Sequence, residues 1–171
     1  MNRLTRYYMI LLIIVIFSQV FILNRVDLFI IPEYAPYVLI YPLIYILLPT
    51  NFNRTSLILI AFGVGFFVDL SLGSLGVHSG ASVLGAFSRK FVLRLIELRT
   101  GLSADSIPGL MDVDISWVIR YNAFMLFIHS IGLFTLEIFT FYFLLTILMK
   151  AIFTTLVSVV AVVMVQLLYK Y

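Results

Sequence analysis

Apolar runs about as long as a membrane crossing dominate this chain, and polar residues are confined to the short breaks between them. The runs from Tyr7 to Leu23 and from Ser56 to Leu72 hold a single charged residue between them, Asp69. A helix needs roughly 20 mostly apolar residues to cross a bilayer, so each run reads as a crossing. Of the 171 residues, 63% are apolar or aromatic and 11% are charged, whereas soluble domains average about 45–50% and about 25%. A water-soluble fold is excluded. Six crossings of about 20 residues leave room for loops only, so residues 1–171 are expected to form a single integral membrane domain, an all-α bundle of six transmembrane helices. Nucleotide-binding and large extracytoplasmic catalytic domains do not fit in the remainder. The chain has no cysteine, which removes thiol catalysis, thiolate metal sites and disulfides. A net charge of +3, scattered along the sequence, does not suit nucleic acid.

The first crossing follows Arg3 and Arg6, lacks a small-x-small cleavage pattern behind it, and is expected to be a retained signal-anchor helix. A polar bend from Asn24 to Glu33 leads to the second, Tyr34 to Leu48, a helix kinked at Pro42 and ended by Pro49. Asn51, Asn53 and Arg54 turn the chain into the third, Ser56 to Leu72. A glycine-rich hairpin (Gly73, Gly76, Gly80) precedes the fourth, which starts near Val77 and becomes amphipathic at Ser88, with Arg89, Lys90, Arg94 and Glu97 along one side. Arg99 to Ser116 is the main soluble loop, and Trp117 to Leu136 is the fifth crossing. At about 1.5 Å per residue, Ile138 to Leu168 is too long for one upright helix and too short for two. A re-entrant or interfacial piece is therefore expected at Phe139–Met149, Lys150 at the outer surface, and the sixth crossing at Ala151–Tyr169. With both termini cytoplasmic, nine of the eleven Lys and Arg residues fall inside, and Arg25 and Lys150 fall outside, as the positive-inside rule requires.

Polar residues within crossings normally face protein. Ala61, Gly65, Asp69 and Gly73 recur every four residues and form one smooth helix face. Ala81 and Gly85 form a matching strip that leads towards Arg89, suited to close helix packing. Asp69 reads either as a proton or ion site or as a hydrogen-bonded residue at the tight hairpin; the absence of a second carboxylate on its helix favours the latter. Asn122 and His129 share a face of the fifth crossing with Gly132 beside them, and Glu137 lies near its outer end. His78, His129, Asp69 and Glu137 lack the spacing of a helical metal pair. Ser56, Ser79, Ser82, Thr146, Thr154 and Ser158 lie outside any nucleophile elbow. No catalytic residue, metal or cofactor is expected.

The segment Gly65-Phe-Phe-Val-Asp69-Leu-Ser-Leu-Gly73-Ser-Leu-Gly76-Val-His78-Ser-Gly-Ala81 resembles the signature of the rod shape-determining MreD family. The likeness extends through Phe87-Ser-Arg89-Lys90-Phe-Val-Leu, the aromatic pair Trp117 and Tyr121, and His129 with Glu137. It implies a non-enzymatic scaffold in the bacterial inner membrane, part of the machinery for lateral peptidoglycan synthesis. The implied partners are the bitopic protein MreC, the MreB filament and the SEDS glycosyltransferase–class B transpeptidase pair. In this reading the Ala61–Gly65–Gly73 face holds the MreC helix, and Arg89, Lys90 and Arg94 form a basic cytoplasmic face toward membrane lipids or an acidic partner. The family's bundle also resembles the S-components of energy-coupling-factor transporters. The alternative is therefore a vitamin-binding membrane subunit with an outward-opening polar cavity reached by Asp69, His78 and Glu137.

Overall fold

The computed structural model describes residues 13–23, 35–97, 106–109 and 113–170. The expectations placed on Arg3, Arg6, Tyr7, Tyr8, the bend from Asn24 to Glu33, Arg99, Tyr171 and most of the loop before Ser116 lie outside them. Helical residues 13–21 are the described part of α1. They are followed by α2 (Leu43–Ile46), α3 (Arg54–Leu72), α4 (Val77–Glu97), α5 (Ile115–Ile138) and α6 (Leu144–Lys170), with a 3-10 turn at Phe141–Phe143. No strand occurs among the described residues. Helices α3 to α6 pack in chain order, each against the next.

Local chemistry sets the helix ends. The Asn53 side chain accepts from the N–H groups of Thr55 (2.9 Å) and Ser56 (3.3 Å) and starts α3. Gly73, at φ +67°, ends α3 in the left-handed conformation that glycine adopts without a Cβ penalty. Asp114 caps α5 by accepting from the Ser116 N–H and hydroxyl, and its carboxyl is held below the usual carboxylate range chiefly by that hydroxyl bond.

Three helices, α3, α5 and α6, are long and apolar enough to cross a membrane; the described residues do not reach the expected six. The second expected crossing accounts for part of the difference. Residues 35–40 carry no regular structure and helix forms only from Leu43 to Ile46, although Leu39 to Leu47 are buried. Pro36, Pro42 and Pro49 each remove a backbone donor from this stretch, and side chains of other segments take over its hydrogen bonding. Thr154 accepts from the Tyr37 N–H (3.1 Å) and Ser158 from the Leu39 N–H (2.9 Å), while the Ser158 hydroxyl is also bonded to the Tyr37 carbonyl. Gln19 of α1 accepts from the Ile40 N–H (2.8 Å) and donates to the Val38 carbonyl (3.0 Å). Irregular backbone is tolerated at membrane depth when protein satisfies it in this way.

The second correction concerns 139–150. The chain makes the single 3-10 turn and then enters α6 at Leu144. Helix α6 runs through Lys150 without a break, so the expected boundary between a re-entrant piece and a crossing is absent. At about 1.5 Å per residue its 27 residues span about 40 Å, the reach of one long helix. Lys150 lies on its second turn with the ammonium 5.7 Å from the Phe134 ring centroid.

Candidate functional site

The motif Gly65–Ala81 folds into the α3–α4 hairpin, and its polar atoms bond to one another. Asp69 is buried near the end of α3 and accepts four hydrogen bonds: from the Ser74 hydroxyl (2.6 Å), the His78 N–H (3.0 Å), and the Ser79 N–H (2.8 Å) and hydroxyl (2.5 Å). His78 and Ser79 stand in the first turn of α4, where backbone N–H groups have no partner within the helix and the helix dipole favours a negative charge. Asp69 therefore caps the next helix from the end of its own.

The packing strip is equally internal. A Cβ at Gly65 would lie 2.5 Å from the His78 carbonyl oxygen and 2.7 Å from the Ser79 Cα, so only glycine lets the two backbones meet here. Ala61 and Ala81 are fully buried, a Cβ at Gly85 would lie 2.5 Å from the Tyr45 hydroxyl, and Gly132 packs on Leu84 and Ala81. The face assigned to a partner helix is covered by α4. Gly73 and Gly76, both at positive φ, occupy the exposed turn.

At the centre, two tyrosines join the two histidines. The Tyr41 hydroxyl lies 3.0 Å from His78 Nδ1 and 2.7 Å from His129 Nε2, and the Tyr45 hydroxyl lies 3.1 Å from His129 Nδ1. All four side chains are buried. The chain Tyr45–His129–Tyr41–His78 ties the irregular second segment to α4 and α5 at once. Asn122 is on the same buried face of α5 as His129, and its amide finds no hydrogen-bond partner among the described residues. Glu137 is away from the others, exposed and accepting from the Tyr37 hydroxyl (3.2 Å) at the far end of α5. Among the described residues, no three His, Asp or Glu side chains converge to hold a metal ion.

Arg89 requires a correction. It is 2% exposed and does not belong to a basic outer face. Its Nε donates to the Tyr121 hydroxyl (3.0 Å), Nη1 to the Pro49 carbonyl (3.3 Å), and Nη2 to the carbonyls of Leu48 and Pro49. The Tyr121 hydroxyl donates to the Ile46 carbonyl (3.2 Å). Lys90 and Arg94 are exposed.

The sequence does not single out Tyr41 and Tyr45 as members of this network, or Gln19 as the side chain that holds the backbone beside it. Tyr41 and Tyr45 flank Pro42 at helical spacing, the one signal that could have marked them; nothing near Gln19 in the sequence names its partners. Comparison with family models, with curated proteins and with solved structures returned no match.

Proposed function

We propose that this chain is a non-enzymatic scaffold of the bacterial inner membrane of the kind the MreD resemblance implies, binding MreC and helping to position the MreB filament and the SEDS glycosyltransferase–transpeptidase pair. The chain crosses the membrane six times, the second crossing being irregular, with both termini cytoplasmic. In this arrangement Arg54, Lys90, Arg94 and Arg120, at the start of α3, the end of α4 and the start of α5, face the cytoplasm. The observation that carries the reading is the closure of the Gly65–Ala81 motif on itself: Asp69 spends its carboxylate on Ser74, His78 and Ser79, as a residue that shapes a surface does. The vitamin-transporter reading calls for an open polar centre, and that centre is filled by Tyr41, Tyr45, His78 and His129.

The partner helix then docks on a face other than the Gly65 strip. Leu59, Phe62, Phe66 and Leu70 of α3 are exposed and lie along one flank of that helix, on average about 100° round from Gly65. Photocrosslinkers placed at Phe62 and Phe66, with Leu156 and Met164 of α6 as a second face, test this in cells. Capture of MreC from one of the two faces is expected. Absence of an MreC adduct at all four positions, in variants that insert normally and retain rod shape, contradicts the scaffold reading.

A further inference from the structure

We propose that one exposed strip of α4, completed by Arg54 of α3, binds the headgroup of an anionic phospholipid. Phe87, Lys90, Phe91, Arg94 and Leu95 follow one another at intervals of three, one, three and one, so they share one side of the helix. All five are exposed, with Phe91 at 68% and Leu95 at 49%. The Arg54 guanidinium sits 4.2 Å from the Phe87 ring centroid, which joins a third cation to the strip. A cation–π stack of this kind orders a guanidinium without consuming its N–H donors.

Three cations lie beside two exposed aromatic rings and a leucine, and residues 87–95 contain no carboxylate. Cations alone would suit any anion, and apolar side chains alone would suit any acyl chain. Their combination on one strip at the end of a helix packed between α3 and α5, both long and apolar enough to cross a membrane, matches a molecule with a phosphate next to hydrocarbon. Arg89 shows the contrast within the same helix: it points inside and its donors are taken by Tyr121, Leu48 and Pro49.

Native mass spectrometry of the detergent-solubilised full chain, titrated with dioleoyl phosphatidylglycerol or with dioleoyl phosphatidylcholine, reads the preference directly. Each basic side chain at an anionic surface strengthens association about fivefold, so Lys90→Gln with Arg94→Gln is expected to weaken phosphatidylglycerol binding roughly thirtyfold and leave phosphatidylcholine unchanged. Phe87→Leu, which removes the ring under Arg54 and keeps an apolar side chain, is expected to weaken phosphatidylglycerol binding by about fivefold or less. Arg120→Gln, at the same end but on α5, is expected to leave the preference intact. Equal binding of the two lipids by the parent chain overturns the proposal. So does a loss of about fivefold in Arg120→Gln, the share expected of one cation of the strip, which would show a diffuse potential in place of a site. Loss of protein-partner capture with unchanged lipid preference in the Lys90→Gln/Arg94→Gln variant would assign the strip to an acidic polypeptide and also overturn it.

Discussion

Asp69 and Arg89 are buried charges of opposite sign at opposite ends of the α3–α4 hairpin, and each is held by neutral groups. Asp69 accepts from the first-turn N–H groups of α4 and two serine hydroxyls, where the helix dipole is positive. Arg89 donates to a tyrosine and to the carbonyls of Leu48 and Pro49 just past α2. A charge can thus be buried in a membrane protein without a counter-ion when unpaired backbone groups converge on it. The two differ in reach. Asp69 bonds residues within ten positions and closes a hairpin that the chain forms locally. Arg89 bonds residues 32 to 41 positions away and closes the irregular second segment on the bundle.

This difference gives an order of expected effects. Asp69→Ala removes four hydrogen bonds to a charged acceptor and leaves two N–H groups of α4 buried, so a loss of about 3–5 kcal/mol is expected, read as unfolding in mixed micelles. Arg89→Met strands the carbonyls of Leu48 and Pro49, while the Tyr121 hydroxyl keeps its bond to the Ile46 carbonyl, and about 2–4 kcal/mol is expected. Arg89→Lys should recover only part of this, because an ammonium lacks the planar fork that reaches several acceptors. The two sites share no hydrogen-bond partner, so the double variant Asp69→Ala/Arg89→Met should be additive within about 0.5 kcal/mol. A larger coupling would mean that hairpin and irregular segment form one unit. Tyr41→Phe, which takes one partner from each histidine, is expected to cost about 1–2 kcal/mol, since hydrogen bonds within membrane proteins average about 0.6 and reach about 1.7.

The smallest effect belongs to Asp114, an exposed cap outside the buried set. Its carboxyl is held low by the Ser116 hydroxyl and N–H, so the folded state binds this proton less readily than the unfolded chain. Its contribution is present above the usual carboxylate range and lost as the pH falls through the lowered value. Unfolding midpoints of the parent chain and Asp114→Asn should differ at neutral pH and converge in acid.

The hairpin was legible because its determinants are close in sequence. The four-residue spacing of Ala61, Gly65 and Asp69 names a helix face, and Gly73 and Gly76 name the turn. The matching strip of Ala81 and Gly85 on α4 was legible too, whereas the assignment of the same α3 face to a partner helix differs from the structure, since a strip of small residues looks the same whether its partner is α4 or another protein. A seven-residue spacing, two helical turns, placed Asn122 and His129 together inside. Arg89 carried a signal that its basic neighbours obscured: Ala81, Gly85 and Arg89 are four apart, so the buried strip runs straight to it, whereas Lys90 is turned about 100° away. The second segment was not legible as irregular. Its apolar run satisfies the length of a crossing, and the acceptors for its N–H groups come from Gln19, Thr154 and Ser158, far away in sequence. In hindsight the spacing of Thr154 and Ser158 fits. Four residues of helix rise about 6 Å and two residues of extended chain about 6.6 Å, so the two hydroxyls meet the alternate N–H groups of Tyr37 and Leu39. The 3-10 turn and the unbroken start of α6 were hidden because an apolar run of that length carries no punctuation.

The proposed function requires that the intramembrane polar residues hold the shape of the bundle and do not themselves carry out a reaction or transport. Asp69→Asn tests it most directly, because it removes the charge while keeping the size. Thermal stability and support of rod shape are measured for this variant across growth temperatures, in cells that depend on the chain. A drop in stability with a parallel loss of shape, both recovered at low temperature, is the expected result. A variant as stable as the parent chain that fails to support rod shape at every temperature would contradict it, since Asp69 would then act through its charge and not through the hairpin it closes.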